Sequence, residues 1–139
     1  ILLVVTSIVL GVGCRNSASA PADSTPQIAV DLNQGFVLAP GQVATIDALA
    51  LQVRLDSVMG DSRCPTDVTC VWAGDADVHL TILRGKRMPL QVVVRITREP
   101  RSVTDVDEVI EVTSMAPAAH SQRTIKPADY RVGLVIKAR

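Results

Sequence analysis

The sequence predicts an all-β fold, an antiparallel β-sandwich (immunoglobulin-like or similar) of about seven to eight strands, with a small β-barrel as the alternative. Apolar and polar residues alternate with a period of two through most of the chain after residue 27, which is the pattern of half-buried strands. No segment keeps a helical period, and turn residues separate the short β-segments. Residues 27–139 suit a single β domain.

Seven segments carry the alternation. In the third, Leu51 and Val53 share one face while Gln52 and Arg54 share the other, as expected where one side of a sheet is buried. The predicted strands are 36–38, 43–46, 49–55, 77–84, 88–97, 106–113 and 130–137, and their expected inward residues include Leu49, Leu90 and Val106. Pro40-Gly41 predicts a turn, and Arg84-Gly85-Lys86-Arg87 predicts a hairpin tip.

The first residues have the pattern of an export signal. Residues 1–13 form an uncharged apolar run that ends in small residues before Cys14, and it is shorter than the roughly 20 residues of a membrane-spanning helix. No Met or basic segment precedes the run, so we expect the true start to lie upstream. Gly11-Val12-Gly13-Cys14 resembles the lipobox of bacterial lipoproteins, although Gly11 stands where Leu is usual. The resemblance implies a lipidated Cys14 and a discarded signal peptide at 1–13; a plain secretory signal cut near Ala20 is the alternative.

Residues 14–26 are rich in Ser, Ala and Pro and predict a flexible tether behind the lipidated Cys14. We therefore expect an extracytoplasmic domain bound to the membrane of a bacterial cell envelope through Cys14, with a secreted or periplasmic protein as the alternative. The 14 basic residues balance the 14 acidic ones, and aromatic residues make up 2% of the chain. The chain therefore has no net positive charge to attract nucleic acid and few aromatic side chains on which bases could stack. We predict no nucleic-acid partner.

Residues 61–80 hold the densest set of functional side chains. If Cys14 carries lipid, Cys64 and Cys70 remain as a pair in an oxidising compartment, and we predict a disulfide between them. A redox role would need a reactive C-x-x-C thiolate, and a zinc site would need closely spaced ligands, which His79 and His120 do not provide. We expect Trp72 to pack over the disulfide as part of the core; an exposed, ligand-binding Trp is the alternative.

Two acidic clusters could offer oxygen ligands to calcium, but neither has the spacing of a calcium loop, so turns or solvent faces are favoured. No Ser-His-Asp grouping and no phosphate loop is evident. We predict no catalytic residue, no metal and no cofactor. The first cluster is Asp75-x-Asp77 and the second is Asp105-x-Asp107-Glu108. The least favoured alternative is a metal-dependent hydrolase that uses Asp75, Asp77 and His79, with Asp107 or Glu108 of the second cluster.

Three segments carry a resemblance to a group of small exported bacterial proteins, many of them classed as lipoproteins, that have no assigned activity. They are Asp61-Ser62-Arg63-Cys64-Pro65, Cys70-Val71-Trp72-Ala73-Gly74 and Asp129-Tyr130-Arg131-Val132. The resemblance covers about residues 36–139. It implies an extracytoplasmic β domain and transfers no catalytic residue.

The favoured function is a non-enzymatic binding or accessory module, tethered to the envelope, whose disulfide-pinned loop recognises an envelope protein. The motivation is that a constrained loop loses little entropy on binding. Arg63, Asp67 and Trp72 are the predicted binding residues. The alternative is a purely structural envelope protein in which the same motif only stabilises the fold.

Overall fold

A computed structural model describes residues 25–139, which fold into two β-sheets packed face to face. The predicted signal peptide at 1–13, the predicted lipidation site Cys14 and nearly all of the tether at 14–26 lie outside the described residues. The sheets hold five and four strands and do not close on each other. The sandwich prediction is therefore confirmed, and the barrel alternative is wrong.

The five-stranded sheet has the order β1-β3-β4-β5-β6. Its neighbours are antiparallel, except that β1 runs parallel to β3. A bulge between Leu55 and Ser57 interrupts the pairing of β4 with β5. The strands are β1 (Gln27–Ala29), β3 (Val43–Ile46), β4 (Leu51–Met59), β5 (Asp77–Arg84) and β6 (Leu90–Arg95).

The four-stranded sheet is antiparallel throughout and has the order β2-β9-β8-β7. The C-terminal strand lies inside this sheet, between β2 and β8, so the end of the described chain is held by strands on both sides. The strands are β2 (Gly35–Leu38), β7 (Ser102–Asp105), β8 (Glu108–Ala116) and β9 (Arg131–Ala138).

The core lies between the two sheets and is built from the alternating apolar residues. In β4, Leu51, Val53 and Leu55 are buried while the residues between them are partly exposed, because successive side chains of a strand point to opposite faces. Branched aliphatic residues dominate this core, and Tyr130 is the buried aromatic residue of the described chain. The largest fully buried side chains are Leu38, Leu51, Leu55, Leu80, Ile110, Leu134 and Ile136.

Several strand boundaries differ from the prediction. Leu49 belongs to a single 3₁₀ turn at Asp47–Leu49 and not to β4. Val106 lies in the turn between β7 and β8 with a φ of 53° and is exposed, and Leu90 is also exposed. Strands β1 and β7 were not predicted, because they hold too few apolar positions to show a period.

An ion-pair cluster joins the two sheets at the end where β5 finishes. Arg84 donates from Nε to Oδ2 of Asp105 at 2.9 Å and from Nη2 to Glu108. Burial alone would lower the pKa of Arg84, but the bonds to the two carboxylates outweigh it and raise that pKa. Asp105 and Glu108 flank the turn between β7 and β8, as the turn interpretation of the second acidic cluster expects. Glu108 does not lie on a solvent face, because it is buried and, like Asp105, is a partner of Arg84.

Candidate functional site

The opposite end of the sandwich carries the connection between β4 and β5, residues 60–76, which we call the disulfide loop. Its two arms pair with each other like a short ribbon. The amide of Ser62 donates to the carbonyl of Asp75 at 2.7 Å, and the amide of Cys64 donates to the carbonyl of Ala73 at 3.0 Å. The Ser62 hydroxyl also accepts from the Asp75 amide at 3.0 Å. The base of the loop is thus fixed by main-chain hydrogen bonds.

Gly74 is required where the two arms meet. Its φ is +70°, and a Cβ built there would lie 1.7 Å from the carbonyl oxygen of Ser62. No side chain larger than hydrogen fits so close an approach, and an L-residue is strained in this left-handed region. The glycine of the Cys-x-Trp-x-Gly motif therefore lets the arms approach each other.

The predicted disulfide between Cys64 and Cys70 is confirmed, with a Cα–Cα distance of 5.9 Å. It closes the outer part of the loop above the paired arms. Within the closed segment, the amide of Val68 donates to the carbonyl of Pro65 at 3.3 Å, which makes a tight turn. The disulfide and this turn together restrict the path of residues 64–70.

A partly buried ion pair supports the loop at its base. Arg63 donates from Nε and Nη2 to the two carboxylate oxygens of Asp61, each at 2.8 Å, and the side chains of Arg63 and Asp61 are only 13% and 11% exposed. The hydroxyl of Tyr130 donates to Asp61 Oδ2 at 2.9 Å. Bidentate pairing of this kind fixes orientation as well as distance.

These hydrogen bonds set the charge state of Asp61. Burial alone would raise the pKa of Asp61, but the bonds from Arg63 and Tyr130 outweigh it and hold that pKa below its ordinary value. Burial and the bond to Asp61 both raise the pKa of Tyr130. At neutral pH the network therefore consists of a carboxylate, a guanidinium and a protonated phenol.

Arg63 also joins the disulfide loop to the connection between β8 and β9, residues 117–130, which we call the β8–β9 loop. Its guanidinium donates to the carbonyl of Met115 at 3.3 Å and to the carbonyl of Pro117 at 2.9 Å. Four donor contacts of this predicted binding residue are thus made inside the protein. In this placement Arg63 holds the loop and does not face outward.

Asp67, the second predicted binding residue, also docks onto the β8–β9 loop. It accepts from the amide of Ser121 at 2.9 Å and from the Ser121 hydroxyl, and its Oδ2 lies 3.2 Å from Nδ1 of His120. Hydrogen bonds from Ser121 lower the pKa of Asp67. Beside it, the amide of Thr66 donates to the carbonyl of Ala119 at 2.9 Å. The disulfide loop is therefore held along one side.

Trp72, the third predicted binding residue, projects into solvent. Its exposed fraction is 82%, that of Val71 is 89%, and Val68 is also exposed. We call these three side chains the apolar tip. The expectation that Trp72 packs in the core is wrong, because residues 60–76 form a loop and not a strand, so the alternation of a strand does not place Trp72 beside Cys70 on an inner face.

The residues of the hydrolase alternative are engaged elsewhere. Asp75 accepts from the amides of Ala76 and Thr97 at 2.9 and 3.1 Å, and Asp77 lies 3.3 Å from Nε of Arg95. Burial alone would raise the pKa of Asp75, but the bonds from Thr97 and Ala76 outweigh it and lower that pKa. Within residues 25–139, no three His, Cys, Asp or Glu side chains are grouped so that they could hold a metal ion.

His79 lies away from any catalytic grouping that the structure describes. It pairs across the strands with Ser57, and both line a shallow cleft with Asp56. Asp56, however, accepts from Nε of Arg54 at 2.6 Å and from the Thr81 hydroxyl at 2.7 Å. Its two carboxylate oxygens are thus occupied by groups other than His79.

A second cleft, of about 290 Å³, lies between the two loops, and Asp61, Arg63 and Tyr130 line it together with His120 and Arg123. The first three of these groups are bonded to one another, so their polar atoms are already engaged. No helix among the described residues is long and apolar enough to cross a membrane. No protein-family model, curated protein or solved structure matches the chain.

Proposed function

We propose that the protein is a non-enzymatic binding module, lipid-anchored at Cys14 in a bacterial envelope, that contacts another envelope component through the apolar tip. The observation that carries this proposal is the exposure of Trp72 and Val71, at 82% and 89%, on a loop whose base is otherwise bonded at almost every polar position. Exposed apolar side chains that the fold does not need are typical of contact surfaces.

The rigidity of the loop supports the same proposal. The disulfide, the paired arms and the Asp61–Arg63–Tyr130 network hold the apolar tip in one position before any contact forms. A preorganised contact surface loses less conformational entropy on binding than a mobile one. In this account Arg63 and Asp67 act as supports of the loop, and Trp72 makes the contact.

The purely structural alternative has less support. A motif that served only to stabilise the fold would bury its single tryptophan, since burial of an aromatic side chain is its main contribution to stability. Here Trp72 contributes little to the core. The polar residues Asp61 and Arg63 stabilise the loop on which Trp72 is exposed. The stabilising role of the motif and its contact role therefore belong to different residues.

Site-specific photo-crosslinking in the native envelope tests the proposal. A photoreactive residue at position 71 should give a discrete adduct, whereas the same residue at position 88 should not, although Val71 and Met88 are 89% and 88% exposed. The adduct should disappear in the Cys64→Ser/Cys70→Ser variant. Equal labelling from both positions, or no adduct from either, would contradict a contact at the apolar tip.

The anchor needs its own test, because Cys14 lies outside the described residues. The intact mass of protein purified from membranes should carry a diacyl- or triacylglyceryl increment on Cys14, with Cys64 and Cys70 unreactive toward alkylation until reduced. An unmodified Cys14 in membrane-purified protein would remove the anchor from the proposal.

A further inference from the structure

The component that the apolar tip contacts can be specified further, and this step rests on the proposed function. We infer that Val68, Val71 and Trp72 enter the interfacial region of the phospholipid bilayer to which Cys14 anchors the chain, and so fix the orientation of the domain on the membrane. Two features of the structure point to a bilayer, the small size of the tip and its lack of charge, and the length of the chain before β1 permits the contact.

The apolar tip is small and projects outward. A specific protein–protein interface buries about 800 Å² on each partner, whereas a tryptophan side chain buries about 150–250 Å². The tip has one Trp and two Val, and the neighbouring Thr66 and Asp67 are hydrogen-bonded to the β8–β9 loop. A bilayer interface needs no complementary shape and is where tryptophan is enriched in membrane proteins.

The charge distribution around the tip favours insertion without electrostatic attraction. Between Pro65 and Gly74, Asp67 is the only ionisable side chain outside the disulfide, and its carboxylate accepts hydrogen bonds from Ser121. Asp75 follows at the base and is held by Thr97 and Arg98. Both carboxylates next to the tip therefore already have donors within the protein, which lessens the cost of moving them toward an apolar phase.

The chain enters the five-stranded sheet level with the middle of β4 and then runs away from the disulfide loop. Gln27 of β1 pairs with Val43 of β3, and Val43 pairs with Arg54 of β4. Strand β1 runs parallel to β3, away from the disulfide loop and toward the end where Arg84 lies. Residues 25 and 26 therefore precede β1 on the side where β4 ends and the disulfide loop begins.

The length of the segment before β1 limits how far this end can lie from the membrane. Eleven peptide steps separate Cys14 from Thr25, which span at most about 40 Å when fully extended. Strand β4 has nine residues and is about 30 Å long. The segment is therefore long enough for the disulfide loop to lie beside the bilayer, with the turn at Lys86, Arg87 and Met88 directed away from it.

Tryptophan fluorescence tests this inference directly, because Trp72 is the only tryptophan. The full chain is coupled through Cys14, the one cysteine outside the disulfide, to a maleimide lipid in phosphatidylcholine vesicles whose acyl chains are partly brominated. Coupling makes the result independent of native lipidation. The matched control is the Trp72→Phe/Met88→Trp variant, which moves the probe to an equally exposed position at the other end.

We expect bromine to quench Trp72 at least about twice as strongly as a tryptophan at position 88, since side chains at this depth lie about 5–10 Å into the interface. Quenching of Trp72 should persist at high salt and fall in a Val71→Asp variant. Equal quenching at the two positions, or quenching that high salt abolishes, would overturn the inference. These results differ from a failure of the proposed function: a crosslink from position 71 to a protein would keep the binding module and remove the bilayer as its partner.

Discussion

At the scale of single residues, the loop depends on groups whose contacts leave no room for substitution. Gly74 meets the carbonyl oxygen of Ser62 where a Cβ would lie 1.7 Å away. Asp61 joins two parts of the chain that are 69 residues apart, through its bond with Tyr130. The role of each of these residues depends on its size and on the position of its atoms, so a residue of similar polarity could not replace it.

Gly74→Ala should lower the free energy of unfolding by about 3 kcal/mol, because the left-handed backbone and the forced contact add together. Gly85→Ala is the matched control, since Gly85 also has a positive φ of 53° but has no atom within 4 Å of a built Cβ. That variant should lose only about 1 kcal/mol. Equal losses in urea unfolding would show that the arms of the loop do not meet as described.

Asp61→Asn should lower the free energy of unfolding by about 2 kcal/mol at pH 7, because the buried Arg63 loses its charged partner. The pKa of Asp61 is lowered in the folded protein, so the stabilisation is present above the unfolded pKa near 3.9 and is lost as pH falls through the folded pKa. The difference between wild type and variant should therefore shrink below about pH 4. A difference of constant size from pH 7 to pH 3 would contradict this role.

At the scale of elements, period-two alternation predicted the long strands because each has one buried and one exposed face. It could not predict β1 and β7, whose few apolar residues show no period, or the 3₁₀ turn that takes Leu49 out of β4. The disulfide followed from counting cysteines. The exposed position of Trp72 could not be predicted in this way, because strand periodicity was applied to a segment that is not a strand. The path of that segment depends on contacts of Asp61, Gly74 and the β8–β9 loop, and no local sequence pattern shows such contacts.

The contribution of the disulfide to stability can be distinguished experimentally from that of the paired arms at the base of the loop. Cys64→Ser/Cys70→Ser should lower the free energy of unfolding by about 2 kcal/mol, as expected for so small a closed loop. Amide exchange should accelerate for residues 66–71, while the amides of Ser62 and Cys64 stay protected by the opposite arm. Uniform loss of protection across residues 60–76 would mean that the disulfide alone holds the loop.

At the scale of the whole molecule, the two ends of the sandwich are stabilised in different ways. One end is joined across the sheets by Arg84, Asp105 and Glu108; the other is joined by Asp61, Arg63 and Tyr130. In the described part of the chain, no buried side-chain nitrogen or oxygen lacks a hydrogen-bond partner. The sandwich is thus tied at both ends, and the apolar tip is the feature that its stability does not explain.

Arg84→Met should lower the free energy of unfolding by about 3 kcal/mol, because it leaves the buried Glu108 carboxylate without its partner. Adding Asp105→Asn and Glu108→Gln should recover a large part of that loss, since no unpaired buried charge remains. Photo-crosslinking from position 71 should be unchanged in the triple variant, because the cluster lies at the far end from the tip. No recovery in chemical denaturation would show that Arg84 acts by packing and not by charge.

Hydroxyl-radical footprinting of the unaltered protein tests the central claim most directly, because Trp72 and Met88 are both oxidisable and are 82% and 88% exposed. In the purified protein, both side chains should be oxidised readily. In intact envelope membranes, Trp72 should be protected while Met88 remains reactive. If Trp72 were oxidised as readily in the envelope as in the purified protein, the apolar tip would not be the surface through which this protein makes contact.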